Sequence, residues 1–187
     1  MNNPLRLSQI AGYCPEFVIW KMVSDLCDAI QGKESGSRLI TPDTIVVDGD
    51  MFYITPSDSI DPIFLPPEYA EGAAVLPSHQ VWMIGAAIYY ASSNRILFGG
   101  HGSRYQRECP NVRLPALQKV HQMITPVMQR CLQYDPSKRI ESKELKTVAQ
   151  REWERCRREP RPQAELPNEV IRITPHDQKW PEAMITL

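Results

Sequence analysis

The ten residues Cys131-Leu132-Gln133-Tyr134-Asp135-Pro136-Ser137-Lys138-Arg139-Ile140 join two helix-like segments and decide how the chain is read. Upstream, Leu117, Val120, Ile124, Val127, Met128, Cys131 and Leu132 recur at spacings of three and four, so a helix is expected from Leu117 to Tyr134. Pro126 must kink that helix or mark a restart. Asp135-Pro136-Ser137 stops it. Downstream a second helix is expected from about Ser142, with Leu145, Val148 and Trp153 inward and the charged run Arg151 to Glu159 mostly outward. Glu154 and Arg158 stand one turn apart and can pair.

Working back toward the N-terminus, Val81 to Ala91 is a nearly unbroken apolar run, too long for an ordinary strand, and predicts a central helix packed on several sides. Between it and Pro115 the chain is polar and glycine-rich, which leaves room for at most a short helix. Thr55 to Pro67 carries Pro56, Pro62, Pro66 and Pro67, and each proline fixes φ and removes a donor, so an irregular connection is required there. Ile45-Val46-Val47 and Met51-Phe52-Tyr53-Ile54 flank Asp48-Gly49-Asp50 and predict a β-hairpin. Phe17, Trp20, Val23, Cys27 and Ile30 mark one stripe of a helix that Pro15 starts and Gly32 ends. Gln31 to Ser37 reads as a surface loop. Beyond Pro160 periodicity fades, although Val170-Ile171-Arg172-Ile173 suits a strand or a docked extended segment, and Trp180 sits in a polar tail. The expected division is a lead-in at 1–14, a domain at 15–159 and an extended tail at 160–187.

Of the 187 residues 42% are hydrophobic, enough for one well-buried core and short for two. A net charge of -1 gives no basic field of the kind that gathers nucleic-acid phosphates. Five widely spaced cysteines with no CxxC pair argue against a disulfide framework and for a reducing, cytoplasmic setting. No apolar run reaches the roughly 20 residues needed to span a bilayer.

Helix, hairpin, proline-rich loop, apolar helix and paired helices follow one another in the order of a protein-kinase C-terminal lobe, and the local words agree. Cys131 to Ile140 resembles the segment joining the last helices of that lobe. Pro66-Pro67-Glu68-Tyr69 is similar to the Ala-Pro-Glu that closes the activation segment, and Val81-Trp82-Met83-Ile84-Gly85 to the start of the central helix. The resemblance covers about residues 15–150. It implies an ion pair between Glu68 and Arg139, a structural device that fixes geometry.

The same resemblance implies that the chemistry has gone. With Ser37-Arg38-Leu39-Ile40-Thr41-Pro42-Asp43-Thr44 laid on the catalytic loop, Leu39 stands where the family has its base and Thr44 where it has its metal-binding Asn. Pro56-Ser57-Asp58 replaces Asp-Phe-Gly, so Pro56 takes the place of the magnesium carboxylate. A small shift of register would bring in Asp43 or Asp58. Asp43 suits the acidic position before the Asn, however, and Asp58 a turn cap. Gln80 replaces the central-helix aspartate that steadies the catalytic-loop backbone. Met1 to Cys14 is too short for a nucleotide-binding N-lobe, so a mainly α, kinase-like C-lobe with one small hairpin and no N-lobe is expected.

A lobe of this kind resembles the kinase non-catalytic C-lobe domain of Spire-type actin nucleators and some scaffold proteins. Its members open with a Trp-bearing helix, as Trp20 does here, and carry a Val-x-x-x-Gly helix followed by aromatics, matched by Val81, Gly85 and Tyr89-Tyr90. These pseudokinase modules bind short peptides of partner proteins, which in the Spire case are cytoskeletal. The resemblance therefore implies a non-catalytic interaction module with a protein or peptide partner, no cofactor and no metal. Ile63, Phe64 and Leu65, on a loop from Ile60 to Leu65, are the expected exposed anchors. Two alternatives stand beside it: a divergent nucleotide-binding kinase completed by another chain, and a structural subunit whose tail docks into a neighbouring protomer. Trp20 and Trp82 are expected in the core. Trp153 and Trp180 suit either a partner or the packing of the tail. His101, Cys109, His121 and Cys131 match no zinc spacing. Cys14 lacks the companions a nucleophile needs and reads as a buried thiol.

Overall fold

The structure, a computed structural model, describes residues 4–12, 14–32, 38–57, 61–118 and 121–158. Asp58, Ile60, most of the Gln31–Ser37 loop, the 160–187 tail with Val170–Ile173, and Trp180 lie outside the described residues. Within them the chain is mainly helical, with one small antiparallel sheet.

The expected hairpin forms as β2 (Ile45–Asp48) and β3 (Met51–Ile54), with Gly49 and Asp50 at the turn and Val47 opposite Phe52. Period-two alternation sends Phe52 and Ile54 inward and leaves Met51 and Tyr53 outside. A third strand, β1 (Leu5–Arg6), pairs with β2 and runs directly into the one-turn helix α1 (Leu7–Ile10). Both come from the lead-in. Leu7, Ile10, Ala11 and Cys14 are buried, so these residues are part of the core rather than an approach to it.

Helix α2 (Glu16–Gln31) begins after Pro15 and ends at Gly32, as the sequence signals require. Its apolar surface is wider than a single stripe, because Val18, Ile19, Met22 and Leu26 are buried together with Trp20, Val23, Cys27 and Ile30. The reason is its position between β3, α3 (Pro77–Ser93) and α6 (Ser142–Arg158). Lys146 pairs with Asp28 at 2.5 Å, and Arg155 with Glu16 at 3.0 Å, so α6 is fastened to α2 at two heights. Arg155 therefore departs from the solvated face expected of its charged run. Glu154 and Arg158 do pair, at 3.5 Å.

In α3, every residue from His79 to Ile88 is buried, which confirms a helix packed on several sides. A short α4 (Gly102–Glu108) interrupts the polar excursion that follows. Val120 lies outside the described residues; of the long helix expected from Leu117, the described residues show a short α5 (Thr125–Cys131), with turns from His121 to Ile124 before it. Pro126 marks a restart: it sits in the first turn, where its missing N–H has no helical partner to lose, and the Thr125 hydroxyl accepts the N–H of Leu117 at 3.1 Å.

Helices α3 and α5 approach closely at Gly85. A Cβ there would lie 2.7 Å from the Cβ of Cys131 and 3.0 Å from two carbons of Leu132, so the words around Val81 and Cys131 meet at a position only hydrogen can fill. Gly85→Ala is expected to destabilise the fold by about 1–3 kcal/mol through overpacking, despite the better helix propensity of alanine. Urea unfolding gives the comparison, and a midpoint equal to or above wild type would refute close contact at this crossing.

Candidate functional site

Arg139 is the best-satisfied charge in the described structure. Its side chain is 1% exposed, and all five N–H groups have an acceptor. Nε donates to the carbonyl of Gln133 at 2.8 Å, Nη1 to Glu68 Oε1 at 2.5 Å and to the carbonyl of Ser78 at 2.9 Å. Nη2 donates to Glu68 Oε2 at 2.8 Å and to the carbonyl of Tyr134 at 3.2 Å. Glu68 and Arg139, 71 residues apart in sequence, thus form a bidentate pair. Glu68 is also 3.7 Å from His79 Nε2. His79 Nδ1 accepts the N–H of Leu76 at 3.1 Å, which caps the start of α3 and fixes the neutral tautomer.

The loop leading to Thr44 is held by neutral groups. Gln80, on α3, donates from Nε2 to the carbonyl of Arg38 at 3.1 Å, so the central helix anchors this backbone through an amide donor. Thr44 is buried, and its hydroxyl donates to the carbonyls of Leu39 and Thr41 while accepting the N–H of Thr41 at 2.8 Å. It is fully engaged in closing the loop. Asp43 is drawn away toward the N-terminus, accepting the hydroxyl of Ser8 at 2.7 Å, while Arg6 donates to its carbonyl. Leu39 is half-buried against the core, and Pro56 is exposed. None of Leu39, Thr44 and Pro56 offers a carboxylate or amide to a metal or a phosphate.

Leu39 does line a cleft of about 390 Å³, with Pro62, Leu65, Tyr69, Glu71 and Arg107 among its walls. A second cleft, of about 560 Å³, lies on the other side of Pro62 against His101, Arg104, Arg107 and Glu108 of the α4 region. Between them the 3-10 turn Pro62–Phe64 is capped by Asp61, whose carboxylate accepts the N–H of Ile63 at 3.0 Å.

The expected exposed anchors are not free side chains. Phe64 stands edge-on to Tyr90 with ring centroids 5.9 Å apart, Leu65 packs on the core, and Ile63 rests on Gly102. All three are half-buried. A Cβ on Gly102, at φ +54, would lie 2.2 Å from the carbonyl oxygen of Ile63, so glycine is what lets α4 and the loop touch. The trio supports the wall between the clefts, a role that long-range packing decides and local sequence does not display.

Trp20 and Trp82 are fully buried, and Trp82 Nε1 donates to Gln106, which donates on to the carbonyl of Leu132. Trp153 packs partly onto the core, with Lys21 and Arg157 over its ring at 5.5 and 5.0 Å. Cys14 is buried, its thiol pushed up to about 12 by desolvation, which makes it a poor nucleophile. Cys131 is buried and Cys109 exposed; no three His, Cys, Asp or Glu side chains converge among the described residues. No helix of the described residues is long and apolar enough to cross a membrane.

Glu68→Ala is expected to cost about 3 kcal/mol in urea unfolding, the lower end for a broken buried pair, because the carboxylate keeps 25% exposure and the guanidinium retains three carbonyls. Arg139→Ala should cost more, since it strands those carbonyls as well. Equal stability of both variants and wild type would show the pair to be incidental. Burial lowers the pKa of both His79 and His121, outweighing Glu68 at the first and Glu16 at the second. A depressed folded-state value means that the unfolded chain binds more protons below about pH 6.5. Stability is then fully present above that pH and falls as acid reaches the lowered values. Unfolding midpoints at successive pH values should show this decline, and His79→Gln should reduce its slope; an unchanged slope would exclude His79.

Compared with known proteins, the chain matches no family model, and no curated protein sequence is detectably similar to it.

Proposed function

We propose that the chain is a kinase-like C-terminal lobe without catalytic function, which binds a peptide segment of a partner protein in a scaffold or adaptor role. One contrast carries this reading. The bracing contacts of Arg139 with Glu68 and of Gln80 with the loop backbone are made, while Leu39, Thr44 and Pro56, at the positions that the resemblance to a kinase lobe assigns to the base and the metal ligands, carry no carboxylate or amide.

The pre-formed clefts beside Pro62 supply concave surface for a peptide. The net charge of -1 disfavours nucleic acid as a partner. Buried thiols at Cys14, Cys27 and Cys131 are compatible with a reducing, cytoplasmic environment.

Magnesium with millimolar ATP tests the rival in which another chain completes a nucleotide site. A ligand at 100 times its Kd adds about 2.7 kcal/mol of stability, several degrees of melting temperature for a chain of this size. The expected result is no shift. A rise of several degrees would overturn the non-catalytic reading in favour of a nucleotide-binding form.

A further inference from the structure

We infer that the two clefts flanking Pro62 form one groove for an extended acidic peptide of a partner protein, in which Arg107 takes a carboxylate and the Leu39–Leu65 side takes an adjoining aliphatic residue. This rests on the interaction-module reading and specifies the partner's chemistry.

Pro62 and Arg107 line both clefts, so the two adjoin at these residues. Arg107 is exposed and makes no hydrogen bond or ion pair within the described residues, whereas its neighbour Arg104 is matched by Glu108 at 3.3 Å. The surrounding sequence from 94 to 118 holds Arg95, Arg104, Arg107 and Arg113 against Glu108 alone, in a chain whose net charge is -1. Of the two arginines that line the clefts, Arg104 is matched by Glu108 and Arg107 has no such partner among the described residues, so the unopposed positive charge at the α4 end of the groove is that of Arg107.

Around Arg107 stand His101, Arg104 and the already paired Glu108 on one side, and Glu71 on the other. That arrangement gives the groove a direction. A carboxylate is favoured toward α4 and repelled toward Glu71, where Leu39, Leu65 and Tyr69 offer apolar wall instead. A free guanidinium binds a carboxylate in bidentate fashion, and an adjoining apolar pocket adds the non-directional part of the affinity. Ile63 against Gly102 and Phe64 against Tyr90 hold the wall between the clefts in place before binding, which reduces the ordering cost.

Panning short random displayed peptides on the immobilised full chain tests this. Enriched peptides should share an Asp or Glu next to an aliphatic residue, and their affinity, read by fluorescence anisotropy, should fall about tenfold or more in Arg107→Glu. Higher salt should weaken binding as well. Because Arg107 is exposed and unpartnered, the variant should melt with wild type. Replacing the peptide acid by lysine should restore binding to Arg107→Glu, a charge swap that no purely structural effect produces. Enriched peptides lacking an acid, or binding equally to both proteins, would overturn this groove and leave the module reading intact. No enrichment from the library would overturn both.

Discussion

A guanidinium can sit in the interior only if every donor is met and its charge is opposed, and Arg139 satisfies both conditions at once. The acceptors come from three places: Gln133 and Tyr134 after α5, Ser78 in the first turn of α3, and Glu68 at the end of the proline-rich connection. The connection from Thr55 to Leu76 has a short 3-10 turn as the one helical element among its described residues, and that turn does not hold it in position by itself. It inherits its place from this anchor at one end and from the contacts of Ile63, Phe64 and Leu65 at the other. The clefts depend on that wall and hence on a side chain that lines neither of them.

Helix α3 is the reference for almost everything else. Gly85 sets its distance from α5, Gln80 holds the loop before the sheet, Trp82 reaches Leu132 through Gln106, and His79 caps its own first turn beside Glu68. Burial from His79 to Ile88 gives the middle of this helix to the core, while Pro77 and Ser78 at its start reach the surface. Burying large apolar side chains such as Ile84 and Ile88 contributes about 1.5–3 kcal/mol each. The polar contacts add orientation more than energy.

What the sequence made legible had local causes. A Gly-containing turn between β-rich runs announced the hairpin, and Pro15 with Gly32 bounded α2 to within a residue. Asp135-Pro136 stopped the preceding helix as read, and in the structure its carboxylate caps a 3-10 turn that opens on proline, as that of Asp61 does before Pro62, a cap not read from the sequence. The pairing of Glu68 with Arg139 followed from resemblance, because nothing in 71 intervening residues states it. The misses were tertiary. The helical spacing from Leu117 to Ile124 does not show that Thr125 accepts the N–H of Leu117 or that Pro126 opens a fresh helix. The stretch 1–14, set outside the domain as a lead-in by its sequence, joins the sheet because β2 supplies a partner for Leu5 and Arg6. Half-burial of Ile63 and Phe64 needed Gly102 and Tyr90, about 26 to 39 residues away, and no window of sequence contains both sides of those contacts.

One detail of the sheet bears on how the molecule keeps to itself. Strand β3 is an outer strand, and the N–H of Phe52 donates to the carboxylate of Asp25 at 3.0 Å, an acid already held by Lys21. The opposite outer strand is only two residues long. With one margin plugged by an acid and the other nearly absent, neither offers a template on which a foreign chain could continue the ladder. Accidental self-association through strand pairing is thereby discouraged by a single aspartate on the neighbouring helix.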